Sequence, residues 1–346
     1  MINIGIICPS EIAFRRFLPA LQKAKKDFKF VGIAIAGPEE WFEDISNVSK
    51  ENIRQQQQNE KSKAQKFVDS YGGKIFDSYQ SILQSSELDA IYIPLPPALH
   101  YKWAKLALEN GKHVFVEKPS TICSEETSEL IALAKKQKMA LHENYMFIFH
   151  DQLKVINEVV NSGEIGYVSL YRISFGFPRR EKNDFRYNEK LGGGALLDAG
   201  GYTIKYATHL LGKTAQVMAA ASNYIPDFKV DIFGTATMIN DEGLTAQLAF
   251  GMDNNYKCDI EVWGSKGTII SNRILTAPVD FVPTYIINKN QKSETRLLPS
   301  DDAFYKSILW FKDCIYNDSC RLENYSTIQK QSDLVEQFKQ KSQNQK

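Results

Sequence analysis

Cysteine is scarce in this chain, and what there is does not pair by spacing. Five cysteines in 346 residues (Cys8, Cys123, Cys258, Cys314 and Cys320) are odd in number and show no CxxC pattern. That excludes a disulfide framework and a cysteine-based zinc site, leaves the metal assignment at none, and fits a reducing cytoplasm. A charge of one sign is missing too: the formal net charge is +1, with acids and bases interspersed. Nucleic acid and membrane surfaces are therefore not expected partners. No apolar run nears the ~18 residues of a membrane span. Met1 leads directly into an apolar stretch, so no signal peptide is expected. Glycine is missing where it matters most. In "GIICPSEIAFRRFLPAL", residues 5–21, a strand-turn-helix pattern carries Cys8, Pro9 and Ser10 where a phosphate-binding turn would place glycines.

What is present suffices for two domains. Apolar residues make up 43% of the chain, enough for two cores without staples. The first part alternates short apolar strands ("INIGII", "FKFVGIAIAG", "KIF", "AIYIPLP", "HVFVEKP") with helical stretches such as "HYKWAKLALENG", stopped by Gly111. The polar, glutamine-rich residues 47–66 read as a surface helix. Ser124, with Glu125 and Glu126, opens a helix to about Lys138. "MALHENYMF" closes this unit. Such alternation predicts a doubly wound parallel sheet over residues 1–147. Beyond Phe147 come longer amphipathic strands ("YVSLYRISFGF", "GTATMIN", "LTAQLAFG", "KCDIEVWGS") and turns such as Asn240-Asp241-Glu242-Gly243. They predict an α+β domain over residues 148–346, with a large, mostly antiparallel, open-faced sheet. Polar terminal helices close the chain and can pack back on the first domain; fraying is expected from about Gln340.

Two constellations carry chemistry. The strand "HVFVEKP" ends in Glu117, Lys118 and Pro119. Ligands of open parallel sheets bind at the carboxyl ends of strands, so Lys118 projects toward the crevice, although a lone loop lysine is usually just solvated. Pro119 keeps Lys118 out of a helical conformation. In "LGGGALLDAGGYTIKYATHLLG", Asp198 and Tyr202 stand four residues apart, which on a helix shares one face. An acid and a phenol there could handle protons beside a sugar; a core tyrosine is the plain alternative.

Taken together, "VFVEKP", "PLPPALHYKWAKLALENGKH", "HENYMFIFH", "GEIGYVSLYRISFGFP", "GGGALLDAGGYTI" and "EVWGSKGT" resemble, in order and over residues 2–312, the glucose-fructose oxidoreductase / inositol dehydrogenase / MocA (Gfo/Idh/MocA) family. "SEIAFRRFLPAL" is similar to the opening of its nucleotide-sugar 3-ketoreductase branch, where the second glycine is already a small residue. Ser10 and Ala13 fit that branch and Cys8 departs from it. If the turn needs no positive φ, a cysteine is tolerated and the site is retained with weakened affinity.

The resemblance implies a Rossmann-type domain, a second α+β domain, and hydride transfer between NAD(H) or NADP(H) and a sugar carbon. It makes Lys118, Tyr202 and Asp198 the catalytic residues. Lys118 stabilises charge on the reacting oxygen and lowers a phenol pKa that is ordinarily roughly 10; Tyr202 donates the proton; Asp198 binds a substrate hydroxyl. It places the cofactor against Cys8, Pro9, Ser10, Glu11, Ile12, Pro94, Leu95, His100, Glu117, Lys118, Asn144 and Arg186. The second strand ends Ala36-Gly37-Pro38, with neither the acid typical of NAD enzymes nor a Ser-Arg pair, so both cofactors stay open; Arg15 or Arg16 could reach a 2′-phosphate. The expected substrate is a sugar or nucleotide sugar, and the expected assembly a homodimer or homotetramer. A dihydrodiol- or aldose-type dehydrogenase, an NAD-dependent glycosidase and a non-catalytic NAD(P)-binding regulator are the alternatives.

Overall fold

A computed structural model describes residues 1–41 and 48–343. Residue 47 of the glutamine-rich stretch and residues 344–346 of the terminal tail lie outside the described residues. By its contacts the chain divides into two units. The first comprises Met1–Ser120, Glu125–Asn144 and Ser307–Ser326; the second comprises Thr121–Ser124, Tyr145–Lys306 and Thr327–Lys346.

The first unit is a six-stranded parallel sheet. Its strands are β1 (Ile2–Ile7), β2 (Phe28–Ala34), β3 (Lys74–Phe76), β4 (Ala90–Ile93), β5 (His113–Glu117) and β6 (Leu141–Asn144), in spatial order β3-β2-β1-β4-β5-β6. Strands β1, β4, β5 and β6 are buried nearly throughout, as expected for a sheet covered on both faces. The crossovers are α1 (Leu18–Lys23), α2 (Pro38–Trp41), α3 (Lys50–Tyr71), α4 (Tyr79–Gln84), α5 (Pro97–Glu109) and α6 (Ser124–Gln137). The surface helix expected in the glutamine-rich stretch is α3, whose exposed faces alternate with a seam at Ala64 and Phe67. Aromatic rings fix the core: Phe17 stacks on Tyr92 at 3.9 Å, and Phe115 meets Phe311 edge-on at 5.3 Å. Chain order reverses between β1 and β4, which makes the ends of these two strands the switch point where ligands of such sheets bind.

In the second unit α7 (Asp151–Asn161) and α8 (Gly201–Leu211) accompany eight strands. These are β7 (Val168–Gly176), β8 (Gln216–Tyr224), β9 (Asp231–Ile239), β10 (Thr245–Gly251), β11 (Lys257–Gly264), β12 (Thr268–Asn272), β13 (Thr284–Lys289) and β14 (Lys292–Leu297). Their order is β14-β13-β12-β11-β7-β10-β9-β8, antiparallel except for the β7–β10 pair. The predicted turn at Asn240–Gly243 joins β9 to β10, with Gly243 at φ 82°. In β9 burial alternates along the whole strand: Ile232, Ala236 and Met238 face the core, while Thr235 and Thr237 point outward. The chain ends in α9 (Ala303–Tyr316) and α10 (Asp318–Gln343), the latter still helical across residues 340–343. No helix among the described residues is long and apolar enough to cross a membrane.

Candidate active site

The turn after β1 corrects one expectation. Cys8 adopts φ 76°, the left-handed conformation that glycine takes without strain. The turn therefore does demand positive φ, and the cysteine satisfies it under strain rather than by avoiding it. Its amide donates to Ala34 O at 3.1 Å, tying the turn to β2, and its carbonyl accepts from Ser10 N at 2.9 Å. Burial pushes the Cys8 thiol up to about 11, so it stays protonated and neutral. Ser10 Oγ accepts the Ala13 amide at 3.3 Å, a local cap. The helix opening at Glu11 and Ile12 runs through a π turn, Ala13–Phe17, into α1. First-turn amides have no partner within a helix, so this end of the turn is suited to an anion. Arg15 is exposed and paired with Glu11 at 3.0 Å. At the end of β2, a Cβ on Gly37 would lie 2.2 Å from Glu39 Oε1. This places an acid beside the strand end, just past the Ala36-Gly37-Pro38 stretch.

Behind Lys118 lies a buried polar network. Glu117 Oε1 accepts from Tyr92 OH at 2.7 Å and from Asn144 Nδ2 at 2.8 Å. Burial raises the Glu117 pKa, and the two donors and Lys118 oppose that rise. Asn144 Oδ1 in turn accepts from Ser307 Oγ at 2.9 Å. Having given its one proton there, Ser307 must accept at 2.8 Å from His142 Nε2, which fixes that tautomer. Strands β4, β5 and β6 are thus locked together beneath the residue that precedes Lys118.

His100, from α5, has Nδ1 2.7 Å from Pro119 O and Nε2 2.7 Å from Leu95 O. It joins the loop after β4 to the loop after Lys118, and both ring nitrogens face main-chain carbonyls. Burial drives its pKa down to about 4, with Lys118 acting in the same direction and the carbonyls against it. Pro94 and Leu95 follow β4 directly, at the switch point. The Lys118–Pro119 peptide is cis.

In the second unit Asp198 and Tyr202 share one continuous helix, but a π turn, Leu196–Gly200, separates them from regular geometry. Such turns recur at functional sites. Asp198 Oδ2 accepts from Arg186 Nε at 2.6 Å, and Arg186 Nη1 also reaches Asp184 Oδ1 at 3.1 Å. Burial opposes the guanidinium charge, yet the two carboxylates outweigh it and hold Arg186 above its ordinary pKa. Asp198 is thereby held beside a permanent cation, a setting for a hydrogen-bond acceptor rather than an acid. The Tyr202 ring is packed by Tyr145 (5.3 Å, edge-on), Phe147 (5.5 Å) and Phe175 (5.2 Å). Gly201 is needed for the first of these: a Cβ there would lie 2.1 Å from Tyr145 OH. Gln331 Nε2 from α10 donates to Gly201 O at 2.9 Å.

Lys118, Glu117, Asn144, His100, Pro94, Leu95 and the Cys8–Ile12 turn belong to the first unit; Asp198, Tyr202 and Arg186 belong to the second. Two groups of residues escaped the sequence. Ser307 lies 163 positions from Asn144 and carries no motif. Asp231 Oδ2 accepts the Leu196 amide at 2.7 Å; its one signal was being the lone charge in β9.

Known proteins match both halves in order. A family model for the NAD-binding Rossmann fold of an oxidoreductase family covers residues 2–145, and a GFO/IDH/MocA C-terminal domain model covers residues 153–270. The chain is 32% identical over 335 residues to the dTDP-3,4-didehydro-2,6-dideoxy-alpha-D-glucose 3-reductase of Actinomadura kijaniata, covering 97% of this chain and 94% of that one. The enzyme of the same description from Saccharopolyspora spinosa is 31% identical, with 90% and 86% covered. Among solved structures, KijD10, a 3-ketoreductase from Actinomadura kijaniata in complex with NADP and TDP-benzene, superposes with a TM-score of 0.87 at 32% identity, covering 98% of this chain and 97% of that one. An aldose-aldose oxidoreductase from Caulobacter crescentus shares the fold at a TM-score of 0.82, 18% identity and 100% and 98% coverage. Since the Rossmann half, the C-terminal half and the full length each find their counterparts in one group of enzymes, the protein belongs to the Gfo/Idh/MocA family and is an NAD(P)-binding oxidoreductase.

Proposed function

We propose that this chain reduces the keto group at C3 of a nucleotide-linked deoxysugar, with NADH or NADPH as hydride donor. The observation that carries the reading is end-to-end similarity to reductases acting on a dTDP-linked 3,4-didehydro sugar, in a chain that keeps Lys118 after β5 and Tyr202 in α8. The cofactor would be held by the Cys8–Ile12 turn, by Pro94 and Leu95 after β4, and by Glu117 and Lys118 at the end of β5. The left-handed turn and the helix start that follows it fit a pyrophosphate. The bound nicotinamide supplies the hydride. Lys118 stabilises the negative charge that develops on the ketone oxygen, and Tyr202 hands that oxygen its proton. Asp198, oriented by Arg186, accepts a sugar hydroxyl. Asn144 and His100 serve from behind, holding Glu117 and the loop after Lys118. Incubating the protein with dTDP-3,4-didehydro-2,6-dideoxy-α-D-glucose and either cofactor should consume reduced nicotinamide and add two hydrogens to the sugar. If neither cofactor is oxidised at saturating substrate, the reading fails.

The strained turn yields a separate expectation. Cys8→Gly removes roughly 1–2 kcal/mol of left-handed strain but adds chain entropy worth about 0.5–1 kcal/mol and loses thiol packing. Stability should therefore move by less than about 1 kcal/mol. Cofactor affinity should rise several-fold, because the backbone can then approach the pyrophosphate more closely. Calorimetry on both proteins decides it: equal or weaker binding in Cys8→Gly shows that the cysteine does not hinder the turn.

We also place the enzyme in the cytoplasm as a homodimer or dimer of dimers. None of the five cysteines forms a disulfide. The face of the eight-stranded sheet opposite its core carries Thr235, Thr237, Phe233 and Ile239 half-exposed and Trp263 50% exposed. A broad, partly apolar sheet face of this kind is normally covered. Light scattering at micromolar protein should give a multiple of the 39.3 kDa chain mass; a monomer would remove the assembly claim.

A further inference from the structure

The helix that carries Asp198 and Tyr202 cannot cap itself. It begins at Ala195 behind three glycines, so its cap position falls on Gly194, whose carbonyl accepts the Asp198 amide at 3.1 Å and which offers no side-chain acceptor. Helix starts leave several amides without partners, and a Ser, Thr, Asp or Asn at the cap usually supplies one. Here the acceptor comes from outside. Asp231, first residue of β9 and 35 positions further along, places Oδ2 2.7 Å from the Leu196 amide. Gly194 makes room for it: at φ 120° it has no side chain, and a Cβ there would lie 2.4 Å from Asp231 Oδ1. The next residues of β9, Ile232, Ala236 and Met238, are core positions, so the carboxylate is anchored to the sheet rather than to a loop.

We propose that Asp231 is a positioning residue for the reaction. By accepting the Leu196 amide it sets where the π turn begins, and so how Asp198 and Tyr202 are aimed. A π turn is one extra residue in a helix, and its register depends on which amide starts the ladder. If the start slips, Asp198 leaves Arg186 and the Tyr202 hydroxyl moves, and a misplacement of about 1 Å can cost roughly 10²-fold in rate. Burial raises the Asp231 carboxyl to about 6. That folded value lies above the ordinary one, so the group's contribution to stability falls as pH rises through 6. At neutral pH the fold keeps a carboxylate here at a cost in stability, which fits a residue retained for the site.

The inference rests on the reading that Asp198 and Tyr202 act on the substrate. Asp231→Leu keeps the branching and removes both acceptors. Its kcat on dTDP-3,4-didehydro-2,6-dideoxy-α-D-glucose should fall roughly 10- to 100-fold, while its dissociation constants for NADPH and NADH change by less than about twofold. Asp231→Asn still presents an oxygen to Leu196 and should retain at least about half of the wild-type kcat. A kcat in Asp231→Leu within twofold of wild type overturns the proposal, as does an Asp231→Asn protein as slow as Asp231→Leu. Should Asp231→Leu fail to give a cofactor-binding protein, Asp231→Glu, which displaces the carboxylate by one methylene, is read the same way. Tyr202→Phe in parallel separates the two claims. Full activity there removes the reading beneath this one; loss there with unaltered Asp231→Leu turnover removes this one alone.

Discussion

Tyr202→Phe is expected to slow ketone reduction by roughly 10²–10⁴-fold while leaving NADPH and NADH affinity within about twofold of wild type. The substitution deletes one oxygen and nothing else. The ring is held on three sides by Tyr145, Phe147 and Phe175, contacts that phenylalanine reproduces. The Leu196 amide bond to Asp231 and the Gln331 bond to Gly201 O are likewise untouched. A fall in rate would therefore report the missing proton rather than a disturbed fold. Hydride addition leaves the substrate oxygen negative, and an acid within reach must neutralise it. Asp198 is poorly suited to substitute, since its carboxylate is already engaged by the Arg186 guanidinium at 2.6 Å. The measurement is kcat and cofactor dissociation constant side by side. Full activity in Tyr202→Phe would return the tyrosine to the role of a core residue and send the search for the donor elsewhere.

The parts of this molecule that sequence reveals are those governed by local rules. Short apolar strands alternating with helices announce a parallel sheet because both its faces are buried; β4 is apolar throughout and β5 is apolar over Val114–Val116 for that reason. Gly243 and Gly111 marked a turn and a helix stop because their φ values of 82° and 69° are ones other residues resist. The position of Lys118, directly after β5, was legible from the apolar run that precedes it. Cys8 misled because a residue's identity predicts its conformation only where that conformation is optional; in this turn the backbone path is set by β1, β2 and the following helix, and the cysteine conforms. The supporting groups were illegible for a different reason. His142, Ser307 and Asn144 form one chain of hydrogen bonds across 165 positions, and Asp231 reaches Leu196 across 35. Such partners are fixed by tertiary geometry, so nothing within a local window announces them. Strands β12 to β14 escaped because they are short and, at the edge, polar on both faces.

Lys118→Ala should damage turnover at least as much as Tyr202→Phe. Removing one preorganised donor to a developing oxyanion commonly costs roughly 10²–10³-fold, and on the proposed mechanism this lysine serves the same oxygen that receives the Tyr202 proton. The fold should tolerate the change. Glu117 remains pinned by Tyr92 and Asn144, and the loop beyond remains joined to His100 through Pro119 O. Cofactor affinity should weaken only modestly, so the loss will appear in kcat. The sharper test is the double variant. If Lys118 and Tyr202 serve one oxygen in one transition state, removing both should be little worse than removing the more damaging of the two, because the second group has nothing left to assist. If instead each acted on a separate step, the two factors would multiply and the double variant would fall by their product. A multiplicative result would detach the lysine from proton delivery and leave it with charge stabilisation alone, whereas a saturating one would bind both residues to the same chemical event.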